Sequence, residues 1–259
     1  MRTLKRCFSG LIFLFLYAPI VIMVIFSFND SKLRGVWKGF TLKWYSELFL
    51  SEGILSALKY TLLVAFISTI VSTIIGTLAA VGISGLGGIR EKILLKLNII
   101  PILNPDIVTA VSLMSLFRIT GINLGFMTML ISHIAFCTPY VVLSVLPKVK
   151  QLDENLEEAA LDLGATPWYA LTRVIMPELK PGIITGLLIA FTLSIDDFVI
   201  SFFNTGNGVT NLSIEIYTMA KLGIKPSMNA LSAIMFAVVI ILLVILYNKN
   251  AEEELGGRD

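Results

Sequence analysis

The chain is 259 residues long and 56% hydrophobic, with a mean hydropathy of +0.86 and 15% charged residues, against about 25% in a soluble domain. A net charge of +2 is too small for a nucleic-acid surface, so no nucleic-acid partner is expected. Cys7 and Cys137 lie in different apolar stretches, which excludes a metal or redox spacing and reads as two buried thiols.

A helix needs about 20 apolar residues to cross the hydrocarbon of a bilayer. The first such run, Phe8 to Phe28, carries no charge and follows Arg2, Lys5 and Arg6 directly, which places the N-terminus in the cytoplasm. It is long for a signal peptide, and "PIVIMVIFSFNDSK" offers no small-residue cleavage site. The segment after it contains "WKGFTLKWYSELF", with Trp37, Trp44 and Tyr45. These rings suit an interfacial helix at headgroup level, and contact with an extracytoplasmic protein is the other use open to them.

A second uncharged run covers Tyr60 to Ile89. "GLGGIREK" ends it and lacks the Gly-Lys-Ser/Thr of a phosphate loop. It reads as a short cytoplasmic turn, and the chain is not expected to hydrolyse ATP. The third run, Leu97 to Phe117, is interrupted by Asp106 within "IIPILNPDIV". Asp106 stands about nine residues into it, hence ~14 Å along a straight helix. Pro101 and Pro105 weaken that helix, and irregular backbone at membrane depth is tolerated where it lines a cavity or is buried in protein. Asp106 therefore either faces a polar path or sits uncharged in a kinked packing helix. The fourth run, Ile119 to Pro147, contains His133 with no second ligand spaced to it, which makes it a hydrogen-bonding packing residue rather than a metal ligand. No metal or other cofactor is expected.

The segment 153–177 is different. Asp153 and Glu154 favour a helix start, and Leu156, Ala159, Ala160 and Leu163 share one helical face. Gly164 supplies a C′ residue, Thr166 an N-cap and Pro167 a first helical position. A second helix should run to Met176 and stop at Pro177. This is a helical elbow with a small-residue face, built either to pack on its own chain or to receive another surface.

The fifth run, Pro181 to Phe203, holds Asp196 and Asp197 in "FTLSIDDFVIS". Neighbouring helical residues point about 100° apart. Gly186, Ala190, Ser194, Asp197 and Ser201 form a small-residue packing stripe, so Asp197 should bond a neighbour while Asp196 faces a path. An ionised Asp at mid-bilayer costs ~2.5–3.5 kcal/mol, and few bases stand near; a carboxylate-lined path favours a cation, best an elongated polyamine. "NTGNG" reads as a turn in an outer-gate segment, and Pro226 to Asn248 is the last run. The fold class expected is all-α, one polytopic transmembrane domain over 1–259. Its six spans lie at about 8–28, 60–82, 97–117, 122–146, 182–203 and 227–247. With both termini inside, 12 Lys/Arg are cytoplasmic and 8 external, and the elbow falls in the cytoplasm.

"EAALDLGATPWYALTRVIMP" resembles the cytoplasmic signature of ABC-importer permeases: Glu-Ala-Ala, three residues, Gly, nine residues, Ile-x-Leu-Pro. Glu158, Ala159, Ala160, Gly164 and Pro177 match, while Val174 and Met176 replace the Ile and Leu with apolar residues of similar size. "LYAPIVIMVIFSFNDS", "GFTLKWYSELF", "NPDIVTAVSL", "SHIAFCTPYVVLSVLPKVK", "FTLSIDDFVISFF" and "SIEIY" resemble the permeases of spermidine/putrescine importers. The resemblance implies a type I importer fold in a bacterial inner membrane, surrounded by lipid. It implies an elbow seated on an ATPase subunit, and Asp106 and Asp196 contributing to polyamine passage. The partners it implies are a homologous permease subunit, a pair of ATPase subunits and an extracytoplasmic polyamine-binding protein. Another small cation or organic solute is the alternative cargo. An intramembrane aspartyl protease would also use two carboxylates, but its Gly-x-Gly-Asp element is absent.

Overall fold

The computed structural model describes residues 2–31, 36–153, 155–222, 226–238 and 240–241. Glu154, the side chains of Cys7 and Glu157, and the last expected span beyond 241 lie outside the described residues. Regular structure within them is helical, apart from one isolated antiparallel bridge between Asn29 and Phe40. The helices are α1 (Arg2–Ser27), α2 (Lys43–Leu50), α3 (Glu52–Leu86), α4 (Gly88–Leu103), α5 (Asp106–Ile119), α6 (Phe126–Val149), α7 (Leu156–Asp162), α8 (Pro167–Ile195), α9 (Val199–Asn204), α10 (Leu212–Leu222) and α11 (Pro226–Val238).

Four of these, α1, α3, α6 and α8, are long and apolar enough to cross a membrane. The third expected span is not a straight helix: α4 and α5 meet at 103°. Pro105 has no N–H to give and disfavours helix at the residue before it. Asn104 accordingly adopts φ −75°, ψ 142°, and the helix ends there. α4 also begins at Gly88, taking in Arg90, Lys92 and Lys96, which a search for uncharged runs leaves out.

The chain divides into two compact units, Met1–Leu55 with Glu215–Asp259, and Ser56–Ile214. In the first, α1 turns its apolar side chains outward, with Leu14 and Phe15 among the most exposed. The loop after it is organised by Asn29. Its Nδ2 donates to the Val36 carbonyl at 2.8 Å, its Oδ1 accepts from the Lys38 N–H at 2.9 Å, and its carbonyl accepts from Trp44 Nε1 at 2.8 Å. Trp44 is thus a buried residue, 4% exposed, held by the loop rather than presented to its surroundings. The indole N–H needs a partner when buried, and the folded-back loop supplies one. Phe28 stacks on Phe40 and packs tilted against Tyr45 around the same point.

The second unit is built around α6. Phe136, Cys137, Val141, Val142 and Val145 of α6 form its core with Ala80 of α3, Ala110 of α5, Leu179 and Ala190 of α8, and Ile200 of α9. The small residues of α8 let it close on α6: Gly182 meets Lys148 and Ser144, and Gly186 meets Val141. Cys137 is a buried free thiol.

Pro177 does not end a helix. The turn Ala170–Ile175 is π-helical, and the Met176 N–H bonds the Leu171 carbonyl, five residues back. Widening the turn spares the chain a proline clash with the preceding carbonyl, so α8 runs unbroken for 29 residues from Pro167 to Ile195.

Candidate functional site

The three acids expected at membrane depth all stand at breaks in helices. Asp106 is the first residue of α5, directly after the Asn104–Pro105 bend, where a carboxylate suits the positive end of the helix dipole. Its side chain is exposed. Asp196 closes α8, with φ −101° and ψ −1°. The fifth expected span therefore breaks at Asp196 to Phe198 and resumes as α9, and the 100° rule for neighbouring helical residues does not govern the pair.

The break gives the two adjacent carboxylates different surroundings. Asp197 accepts from the Ile200 N–H at 3.2 Å and the Ser201 N–H at 2.8 Å, capping α9. His133 Nε2 lies 3.5 Å from its Oδ2. The Asp196 side chain is exposed, and its backbone carbonyl accepts from Ser213 Oγ at 3.2 Å.

Around Asp197 runs a polar network that sequence reasoning found only in part. His133, 1% exposed, places Nδ1 2.7 Å from Ser194 Oγ and Nε2 2.9 Å from Ser201 Oγ. Ser194 Oγ is also 3.0 Å from Ser68 Oγ on α3. Asn211 Nδ2 donates to Ser201 Oγ at 2.7 Å and to the Asp197 carbonyl at 3.1 Å, and its Oδ1 caps α10 through the Ile214 N–H at 2.9 Å. Asn204 at the end of α9 donates to the Ala110 carbonyl of α5 at 3.2 Å and accepts through its own carbonyl from Thr128 of α6 at 2.8 Å. Buried polar groups are mostly paired, and here Ser68 is placed by Ser194, Ser201 by His133 and Asn211, and Asn204 by the Ala110 carbonyl and Thr128. The signal in the sequence was the density of Ser and Asn between Ser194 and Asn211.

The elbow forms a second site in the same unit. The Gly164 N–H bonds the Leu161 carbonyl at 2.9 Å and the Ala165 N–H bonds the Ala160 carbonyl at 3.1 Å, with Gly164 at φ 87°. This is a Schellman ending of α7. Thr166 Oγ1 accepts from the Tyr169 N–H at 3.3 Å and opens α8 with Pro167 behind it. Glu158 and Ala159 are exposed, Ala160 half-buried and Pro177 exposed. Ala160, Leu163, Gly164, Ala165, Thr166, Tyr169 and Val174 line an open cavity of about 440 Å³. Leu163 is 90% and Trp168 72% exposed, a large apolar surface at a turn between helices. Among the described residues no cluster of His, Cys, Asp or Glu could hold a metal ion.

Residues 72–249 match the family described as "Binding-protein-dependent transport system inner membrane component". The chain belongs to this family. It is 38% identical over 243 residues to the spermidine/putrescine transport system permease protein PotC of Escherichia coli strain K12, covering 94% of this chain and 92% of that one. It is also 38% identical over 234 residues to the putrescine transport system permease protein PotI of the same organism, covering 88% and 83%. Among solved structures it is similar to a bacterial ABC transporter involved in the import of the acidic polysaccharide alginate, with TM-score 0.79, 14% identity and 95% of each chain covered. The MetNI methionine ABC transporter follows, with TM-score 0.56, 17% identity and coverage of 79% and 98%. The fold is that of an ABC-importer permease, and the chain is a bacterial inner-membrane transport component rather than an enzyme.

Proposed function

We propose that this chain is a transmembrane permease subunit of an ATP-driven importer that carries polyamines such as spermidine and putrescine into the cytoplasm. The observation that carries the reading is the similarity, over nearly the full length, to permeases named for those substrates. The acids supply the chemistry. Asp106 and Asp196 are exposed carboxylates at two helix breaks in one unit, and a path carrying negative charge favours a cation over an anion. The alginate transporter shares the fold, and fold does not fix cargo.

In this reading the elbow is the coupling element. Leu163, Trp168 and Tyr169 offer apolar anchors to an ATPase subunit, with Glu158 and the exposed alanine face alongside. α8 then transmits the movement. It begins in the elbow at Pro167 and ends beside Asp196, spanning ~43 Å at 1.5 Å per residue. A displacement of the elbow therefore reaches an acid of the path through one continuous helix. The assembly contains a homologous permease, a pair of ATPase subunits and an extracytoplasmic polyamine-binding protein, with both termini and the elbow in the cytoplasm.

The test is uptake of labelled spermidine, putrescine and a divalent metal ion by the reconstituted complex. ATP-dependent polyamine uptake is expected. Asp196→Asn should lower it at least ten-fold, a loss of about 1.4 kcal/mol, with the complex still assembled. Glu158→Lys should abolish it and loosen the ATPase. Uptake of the metal alone would overturn the substrate assignment, and normal uptake by Glu158→Lys would overturn the coupling role.

A further inference from the structure

Asp196 and Asp197 are chemically identical neighbours, and something in the fold must make them different. The break between α8 and α9 leaves two helix ends, and the His133 side chain bonds both of them from outside. His133, in the middle of α6, reaches Ser194 in the last turn of α8 with Nδ1 at 2.7 Å. With Nε2 it reaches Ser201 in α9 at 2.9 Å and stands 3.5 Å from the Asp197 carboxylate. Both ring nitrogens are occupied and the ring is 1% exposed, so its orientation is fixed from both sides.

We infer that His133 is a positioning residue: it staples α8 to α9 across their break and holds Asp197 as the cap of α9, leaving Asp196 as the free acid of the pair. Two further observations carry this. The Asp197 carboxylate is already committed to the Ile200 and Ser201 N–H groups, so the ring closes the remaining side of a capped acid. Ser201 Oγ also receives Asn211 Nδ2 at 2.7 Å, which makes the Nε2 arm part of a connected network while the Nδ1 arm ends on the Ser194–Ser68 pair. The two arms do different work: Nδ1 anchors the end of α8, and Nε2 sets the start of α9 and the acid that caps it.

The inference rests on reading Asp196 as the path acid, and the experiment separates the two. An Asn amide sits where Nδ1 lies and a Gln amide reaches toward Nε2. The complete complex is prepared with His133→Gln and with His133→Asn. Each is also prepared with Asp196→Cys in a background carrying Cys7→Ser and Cys137→Ala. Two quantities are measured: KM for labelled spermidine uptake, and the rate at which a maleimide labels position 196. His133→Gln should keep KM within about three-fold and the labelling rate within about two-fold of the parent. His133→Asn should raise KM about ten-fold and change the labelling rate about five-fold, in a complex that still assembles.

If Gln and Asn both behave like the parent, the ring only fills space and the inference falls; if both are equally impaired, the assignment of the Asp197 cap to the Nε2 arm is overturned. Should His133→Asn fail to assemble, Ser201→Ala removes the same arm by a smaller change, and an unaltered labelling rate in it overturns the inference. If no polyamine enters the parent complex, the substrate reading fails, while a labelling difference between Gln and Asn still upholds the staple.

Discussion

Gly76 on α3 and Val141 on α6 approach so closely that a Cβ built on Gly76 would lie 2.7 Å from Val141 Cβ. The contact sits beside the core formed by Ala80, Val141 and Val145, and small residues are what let membrane helices close to this distance. Gly76→Ala should therefore destabilise the chain by about 1–3 kcal/mol, the usual cost of overpacking. Gly82→Ala, where nothing lies within 4 Å of the added carbon, should not destabilise it. Thermal unfolding in detergent compares the two; equal midpoints would mean that α3 and α6 yield at this point.

Gly164 ends α7 at φ 87°, a conformation that costs a residue with a Cβ about 1–2 kcal/mol. No atom lies within 4 Å of an added Cβ, so strain, not a clash, governs Gly164→Ala. The elbow should then open at the turn. Uptake should fall several-fold while the complex keeps most of its ATPase activity. Gly164→Asn should restore uptake in part, because Asn tolerates the left-handed region better than Ala does. Side-by-side uptake and ATPase assays read this out, and equal behaviour of Ala and Asn would count against it.

Much of this arrangement could be read from residues alone, and the exceptions share a cause. The elbow was legible because caps are local: Gly164, Thr166 and Pro167 each act within four residues of their own position. The α8 stripe of Gly186, Ala190 and Ser194 was legible because its period is helical. Asn104–Pro105 announced a weak helix without its angle, since the 103° between α4 and α5 is set by what each half packs against. The unbroken passage of α8 through Pro177 depends on a π-helical turn that no residue type announces. The burial of Trp44 was not legible because its partner, the Asn29 carbonyl, is 15 residues away on a folded-back loop. The His133 network joins residues up to 126 positions apart, beyond any local pattern.

Trp44 gives a test of that loop. Trp44→Phe keeps most of the buried ring and leaves the Asn29 carbonyl without the 2.8 Å bond. The expected cost is about 1–2 kcal/mol for a buried acceptor left unmatched. Trp44→Ala should cost about 3–5 kcal/mol through the cavity as well. A matching loss of stability in Asn29→Ala, whose side chain gathers Val36 and Lys38, would place both effects in one motif. Fluorescence-monitored unfolding of the single and double variants measures the coupling, and additive losses would show that the two residues act separately.

Lys150 Nζ stands 2.8 Å from Glu91 Oε1, joining the residue after α6 to the first turn of α4. The lysine side chain is 50% exposed and the glutamate 18%. Solvent screens a pair so placed, so its worth is about 0–1 kcal/mol, and Glu91→Gln should barely move the unfolding midpoint. Geometry matters more here than energy. The pair borders a cavity shared with Asp153, Leu156 and Ile175, at the root of the elbow, so loosening it should show in coupling before it shows in stability. Glu91→Lys should lower uptake per ATP hydrolysed by about two- to five-fold, a change of roughly 0.4–1 kcal/mol, and Glu91→Lys with Lys150→Glu should recover most of it. The deficit should shrink above ~0.5 M salt, where the Debye length falls below about 5 Å. An unchanged ratio of uptake to hydrolysis in the single reversal would mean that the elbow takes no direction from α4.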